Sequence, residues 1–132
     1  MSCGLYEKIF NYRLLRKKNY RNNRQVLFMI NWGIIGLGNI ANSFAEAIRE
    51  INDCQLKGIA SLNKSKLSIF GEKYNIDKKY RFNSYDELIN SDQIDVIYIA
   101  TLNNTHKDLI IKSIDAKKNI LCEKPITIND QE

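Results

Sequence analysis

Downstream of residue 30, short apolar runs alternate with stretches in which apolar positions recur at helical spacing. Trp32-Gly33-Ile34-Ile35 is a brief apolar run ending at a glycine, the pattern of a buried strand. Over 39–50, Ile40, Phe44, Ala45 and Ile48 fall on one side. Asn42, Ser43, Glu46, Arg49 and Glu50 fall mainly on the other, which predicts an amphipathic helix. A second strand is predicted over 55–60, and a second helix over 64–74 with Leu67 and Phe70 inward. Arg81 and Phe82 read as a brief third strand. Ser84 then opens a short helix carrying Tyr85, Leu88 and Ile89, with Glu87 placed as a capping box requires. The strongest strand signal lies over 94–100, where Val96, Ile97, Tyr98 and Ile99 are consecutive and apolar, as in a strand covered on both faces. A helix over 106–116 is expected to pack Leu109, Ile110 and Ile114, and a fifth strand occupies 119–122.

Strands separated by helices of this length imply βαβ crossovers and a parallel sheet. In such a sheet, ligands bind beyond the carboxyl ends of the strands, so the turns after each strand are the places to look for chemistry.

Composition narrows the reading in two places. The net charge of +5 is unevenly spread: residues 1–28 hold seven basic side chains and one acid, net +6, whereas the other 104 residues sum to −1. A basic-patch argument for nucleic acid therefore applies only to the tail, and neither nucleic acid nor a membrane is expected as a partner of the globular part. Within the tail, Leu5, Ile9, Phe10, Leu14 and Leu15 recur at roughly helical spacing, compatible with a membrane-surface helix, a targeting peptide or a nucleic-acid arm. Met29 stands just before the first core strand. Residues 1–28 are accordingly read as a disordered or artefactual extension ahead of a domain at 29–132. Cys3, Cys54 and Cys122 match no zinc or disulfide spacing, which suits a reducing, cytoplasmic setting, and no metal site is expected. No apolar stretch is long enough to span a bilayer.

After the first strand comes Gly36-Leu37-Gly38-Asn39-Ile40-Ala41. Each small residue has its own task in holding a pyrophosphate. Gly36 permits the tight strand-to-helix turn, Gly38 leaves room for the phosphates, and Ala41 lets the helix lie close to the sheet. The helix start then presents its unpaired N–H groups to the anion. The pattern carries weight because it sits between a buried strand and an amphipathic helix. At the end of the second strand, Ala60-Ser61-Leu62-Asn63-Lys64 offers no carboxylate to bond both ribose hydroxyls of NAD. Ser61 or Asn63 can bond a hydroxyl or phosphate, and Lys64 or Lys66 can neutralise a 2′-phosphate. The expected cofactor is therefore NAD or NADP, with a slight lean to NADP.

Three segments taken together resemble one known family: 33–41, the run Ile99-Ala100-Thr101-Leu102-Asn103-Asn104-Thr105-His106, and Leu121-Cys122-Glu123-Lys124-Pro125. In order and spacing they are similar to the N-terminal domain of the glucose–fructose oxidoreductase/inositol dehydrogenase/rhizopine catabolism (Gfo/Idh/MocA) family, over about residues 31–132. The resemblance implies an α/β, Rossmann-type doubly wound parallel sheet. It also implies an oxidoreductase passing hydride between a nicotinamide cofactor and a sugar, cyclitol or related hydroxyl compound. Gly36, Gly38, Asn39 and Ile40 then match the pyrophosphate turn, and Ser61 the position reading the adenosine ribose. Thr101, Asn103 and His106 match the loop along the cofactor, Glu123 the residue near the nicotinamide ribose, and Lys124 the active-site lysine, which also binds the cofactor beside the nicotinamide and the substrate hydroxyl. An ammonium group there can bond the reacting oxygen and, if desolvated beside the cofactor, transfer a proton. Departures are Leu102 where the family often has proline, and Leu62 where NADP-preferring members often have arginine. Asn129-Asp130-Gln131-Glu132 reads as the opening of a further helix, and the family's second, substrate-binding domain is expected to be absent. That domain carries most of the substrate pocket and the oligomer interface, so a full-length form is expected to be a homo-oligomer and this chain inactive by itself. The alternatives are a non-catalytic NAD(P)-binding module or redox sensor, and a chain tethered to an anionic surface by its tail.

Overall fold

The computed structural model describes residues 29–124. The readings placed on the basic tail, on Pro125 and on the helix at 129–132 fall outside them. Five strands, β1 (Ile30–Ile35), β2 (Cys54–Ala60), β3 (Arg81–Phe82), β4 (Val96–Ile99) and β5 (Asn119–Cys122), form one sheet in the order β3-β2-β1-β4-β5. Every neighbouring pair is parallel. The intervening helices are α1 (Asn39–Arg49), α2 (Lys64–Lys73), α3 (Tyr85–Ile89) and α4 (His106–Asp115). The chain runs outward from β1 to β3, then crosses back to place β4 on the other side of β1. The crevice between the carboxyl ends of β1 and β4 is therefore the topological switch point at which open α/β sheets take their ligands.

Alternation along the central strands sorts the core into two clusters. Trp32, Ile34, Ile59, Val96 and Tyr98 pack against Phe44, Ile48, Leu67 and Phe70 of α1 and α2. Ile35, Ala60, Ile97 and Ile99 pack against Leu88, Ile89 and Leu109 of α3 and α4. With both faces covered, β4 is buried at every position, which is why its sequence is continuously apolar.

Three local expectations are corrected. Ile40 is 46 % exposed rather than inward. It sits in the first turn of α1 and about a quarter-turn off the buried stripe formed by Ala41, Phe44, Ala45 and Ile48. On α4 the buried stripe is His106, Leu109 and Ser113, while Ile110 is half-buried and Ile114 is 59 % exposed. The stripe rotates toward two polar residues because both are satisfied inside. His106 Nε2 lies 3.0 Å from the Thr101 carbonyl oxygen, and Ser113 Oγ donates to the Leu109 carbonyl at 2.7 Å. Ser84 precedes α3 as expected, but its side chain makes no capping hydrogen bond, so the capping box does not form.

Candidate dinucleotide site

Backbone hydrogen bonds lock the rim of the crevice. The Gly36 amide donates to Ala60 (3.1 Å), Ala100 to Ile35 (2.8 Å), Glu123 to Ile99 (3.0 Å) and Ser61 to Phe82 (3.1 Å). Because all strands are parallel, this brings the glycine turn, Ser61, Thr101 and Glu123 to one edge of the sheet.

Gly36 and Gly38 answer to different constraints. Gly36 has φ +91°, a conformation that L side chains rarely adopt, and a Cβ there would lie 2.7 Å from the Ala100 carbonyl oxygen. The fold itself demands this glycine. Gly38 has φ −94° and ψ −165°, extended backbone open to any residue, and a Cβ there would meet nothing within 4 Å. Among the described residues nothing asks for glycine at 38. The space above it fits a group that must approach the backbone closely, as a pyrophosphate does.

Helix α1 begins at that space. Gly38, its N-cap, has no side chain to bond the first N–H groups, and its first turn holds no acid. The leading amides of α1 are thus free of intrahelical partners and aimed at the crevice rim. Asn39 and Ile40 are exposed there, and Ala41 is fully buried against the sheet, as the close helix–sheet approach requires.

At the end of β2, Ser61 is buried and its Oγ accepts the Asn63 amide at 3.2 Å. Asn63 caps α2, its Oδ1 accepting the Lys66 amide at 3.0 Å. Leu62 projects outward, 68 % exposed, and Lys64 and Lys66 are exposed in the first turn of α2.

The loop after β4 is internally braced. The Thr101 and Thr105 hydroxyls share a hydrogen bond at 2.6 Å, and Thr105 Oγ1 also donates to the Leu102 carbonyl at 2.8 Å. Asn103 begins a 3-10 turn, Asn103–Thr105, and is exposed. His106 is fully buried. Its ring offers no surface to a ligand and lies against the Thr101 carbonyl, on the interior side of the loop expected to run along the cofactor.

Beyond β5, Glu123 is half-buried and Lys124 exposed. The Tyr98 hydroxyl donates to Glu123 Oε1. Burial first, then that carboxylate, raises the Tyr98 phenol far above its ordinary value, so it stays a donor. Burial, with a smaller contribution from Glu123, pushes the neighbouring Cys122 thiol up to about 11. In the sequence Tyr98 passes as one of four consecutive apolar positions and is not among the predicted site residues. The available signal was its polar tip, since a buried tyrosine hydroxyl needs a partner. Among the described residues no cluster of His, Cys, Asp or Glu could hold a metal ion. No helix among them is long and apolar enough to cross a membrane.

A parallel sheet of this order, with a bare glycine turn feeding an uncapped helix at its switch point, defines a dinucleotide-binding domain of the Rossmann type. The chain belongs to the Gfo/Idh/MocA oxidoreductases: residues 30–132 match that oxidoreductase family's NAD-binding Rossmann fold. It is 38 % identical over 100 residues to trans-1,2-dihydrobenzene-1,2-diol dehydrogenase of Xenopus tropicalis, covering 74 % of this chain and 30 % of the relative. Over 97 residues it is 35 % identical to myo-inositol 2-dehydrogenase of Thermotoga maritima, covering 74 % of this chain and 28 % of the relative. The structure resembles that of a probable dehydrogenase from Thermotoga maritima with a TM-score of 0.72 at 32 % identity, covering 76 % of this chain and 29 % of the other. The chain thus spans about 30 % of the length of the curated relatives it matches.

Proposed function

We propose that this chain binds NAD or NADP across the β1–β4 crevice and supplies the cofactor half of a dehydrogenase acting on a hydroxyl group of a sugar, cyclitol or related compound. The observation that carries the reading is Gly38. It is a glycine that neither the backbone conformation nor any neighbouring atom requires, placed against the uncapped start of α1. Pyrophosphate at this place would be met by the Asn39 and Ile40 amides. The loop of Thr101 and Asn103 would run along the cofactor, with His106 bracing it from inside. Glu123 would accept hydroxyls of the nicotinamide ribose. The nicotinamide, when bound, supplies hydride chemistry. Lys124 would bond the substrate oxygen, stabilise its developing charge and hold or accept the proton that leaves it.

A module that only bound the cofactor would need the glycine turn but would have no use for a lysine at the hydride site, which favours the enzymatic reading. For cofactor choice, the end of β2 carries no carboxylate, while Lys64 and Lys66 flank the start of α2. This favours NADP. Leu62, placed where an arginine would pair with the 2′-phosphate, keeps the preference small. Fluorescence titration of the chain with NADH and NADPH tests both points: saturable binding of each is expected, somewhat tighter for NADPH. The absence of a saturable signal with either would overturn the reading.

A further inference from the structure

We infer that Tyr98 is a positioning residue for the nicotinamide half of the cofactor, acting through the carboxylate of Glu123. The inference rests on the proposed placement of Glu123 at the nicotinamide ribose and deepens it. Tyr98 is 2 % exposed, in a strand whose other members are Val96, Ile97 and Ile99. Its ring stacks on Phe44 of α1 with centroids 3.9 Å apart and planes 20° from parallel, and Phe44 meets Trp32 edge-on at 5.1 Å. Phenylalanine would satisfy that aromatic column equally well. The packing therefore has no need of the hydroxyl, and burying one without a partner is costly.

What the hydroxyl does instead is donate to Glu123 Oε1. Burial and the carboxylate keep it protonated, so donor and acceptor cannot exchange roles. Glu123 lies just past the last residue of an edge strand, anchored by one backbone bond to Ile99. Its side chain would otherwise sample several rotamers. A carboxylate offers about four lone-pair directions. One is taken by Tyr98, which fixes the carboxylate plane and leaves the remaining oxygen for vicinal hydroxyls of a ribose. Because Tyr98 also stacks on Phe44, little more than one helical turn from the pyrophosphate amides of Asn39 and Ile40 on the same helix, the acceptor for the second ribose is set relative to the helix that holds the phosphates.

Calorimetric titration of native chain and Tyr98→Phe with NADH, ADP-ribose and ADP tests this. ADP-ribose carries the second ribose and ADP lacks it. Tyr98→Phe is expected to weaken NADH and ADP-ribose by about 5- to 10-fold, the effect of misplacing one hydrogen bond to a charged group, and to leave ADP unchanged. In a Glu123→Ala background the same substitution should cost nothing further. Equal weakening of all three ligands would mean a purely structural role and overturn the inference. So would NADH and ADP-ribose affinities that do not move, or a further loss in the Glu123→Ala background. If the native chain binds none of the three, the proposed function itself falls and this inference with it.

Discussion

Two glycines two residues apart give opposite forecasts when each is replaced by alanine. At Gly36 the new side chain meets a positive φ and a fixed carbonyl 2.7 Å away. Because the obstacle is backbone, it cannot swing aside. Gly36→Ala should lower stability by about 1–3 kcal/mol, the range for a non-glycine residue forced into such a conformation, read from the urea unfolding midpoint. At Gly38 the new side chain enters open space with unstrained backbone, so Gly38→Ala should leave the midpoint within about 0.5 kcal/mol of native. Its effect should fall instead on dinucleotide affinity, reduced at least tenfold by NADH titration because the methyl group stands where the phosphates approach. Gly38→Ala with full affinity, or with a lowered midpoint, would show that this glycine serves the fold rather than a ligand. Both glycines were legible from the sequence as one motif. Their separation into one structural and one ligand-facing residue required the neighbouring atoms, since Ala100 is 64 positions away along the chain.

At the scale of elements, periodicity located each strand and helix, and it failed where polar side chains entered the interior. Helix α4 is the example. Hydrophobicity alone centred its inner face on Leu109, Ile110 and Ile114, yet the buried stripe includes His106 and Ser113. The bonds that make this tolerable run to the Thr101 carbonyl in the preceding loop and to the Leu109 carbonyl one turn back. Both reach only five and four residues back along the chain, but a pattern that scores hydrophobicity alone does not register such side-chain-to-backbone bonds. Strand β5 carries a related consequence. Its Cys122 thiol is raised to about 11 by burial and then by Glu123. The native state therefore holds that proton more tightly than the unfolded chain does. The stability linked to it is complete below the ordinary value of 9.0 and is lost as pH climbs through that value toward about 11. Tyr98, raised from 10.0, adds a decline of the same sign further into alkali. Urea midpoints measured across this window should fall with pH in the native chain and fall less steeply in Cys122→Ala. Identical slopes would mean that the thiol is not held protonated by the fold.

For the whole molecule, binding and turnover separate. The turns after β1, β2, β4 and β5 share one edge of the sheet, and the proposed dinucleotide contacts all lie on them. Hydride transfer requires more. Lys124 is exposed among the described residues, where solvent screens its charge. A hydroxyl compound must also be pressed against the cofactor and water excluded, which takes a wall of side chains on the substrate side. The relatives that share this domain are about three times as long as the matched region, which leaves room in them for such a wall. The 132-residue chain is therefore expected to bind NADH or NADPH, yet to show no change in nicotinamide absorbance with NAD or NADP when myo-inositol, other cyclitols or aldoses are added. Supplying in trans the remaining two-thirds of a homologous dehydrogenase should restore turnover, and Lys124→Ala should abolish the restored rate while leaving cofactor affinity within about twofold, because its role lies at the substrate oxygen. Turnover by the chain alone would place the substrate wall within these 132 residues. Restored turnover that survives Lys124→Ala would move the proton chemistry to another group.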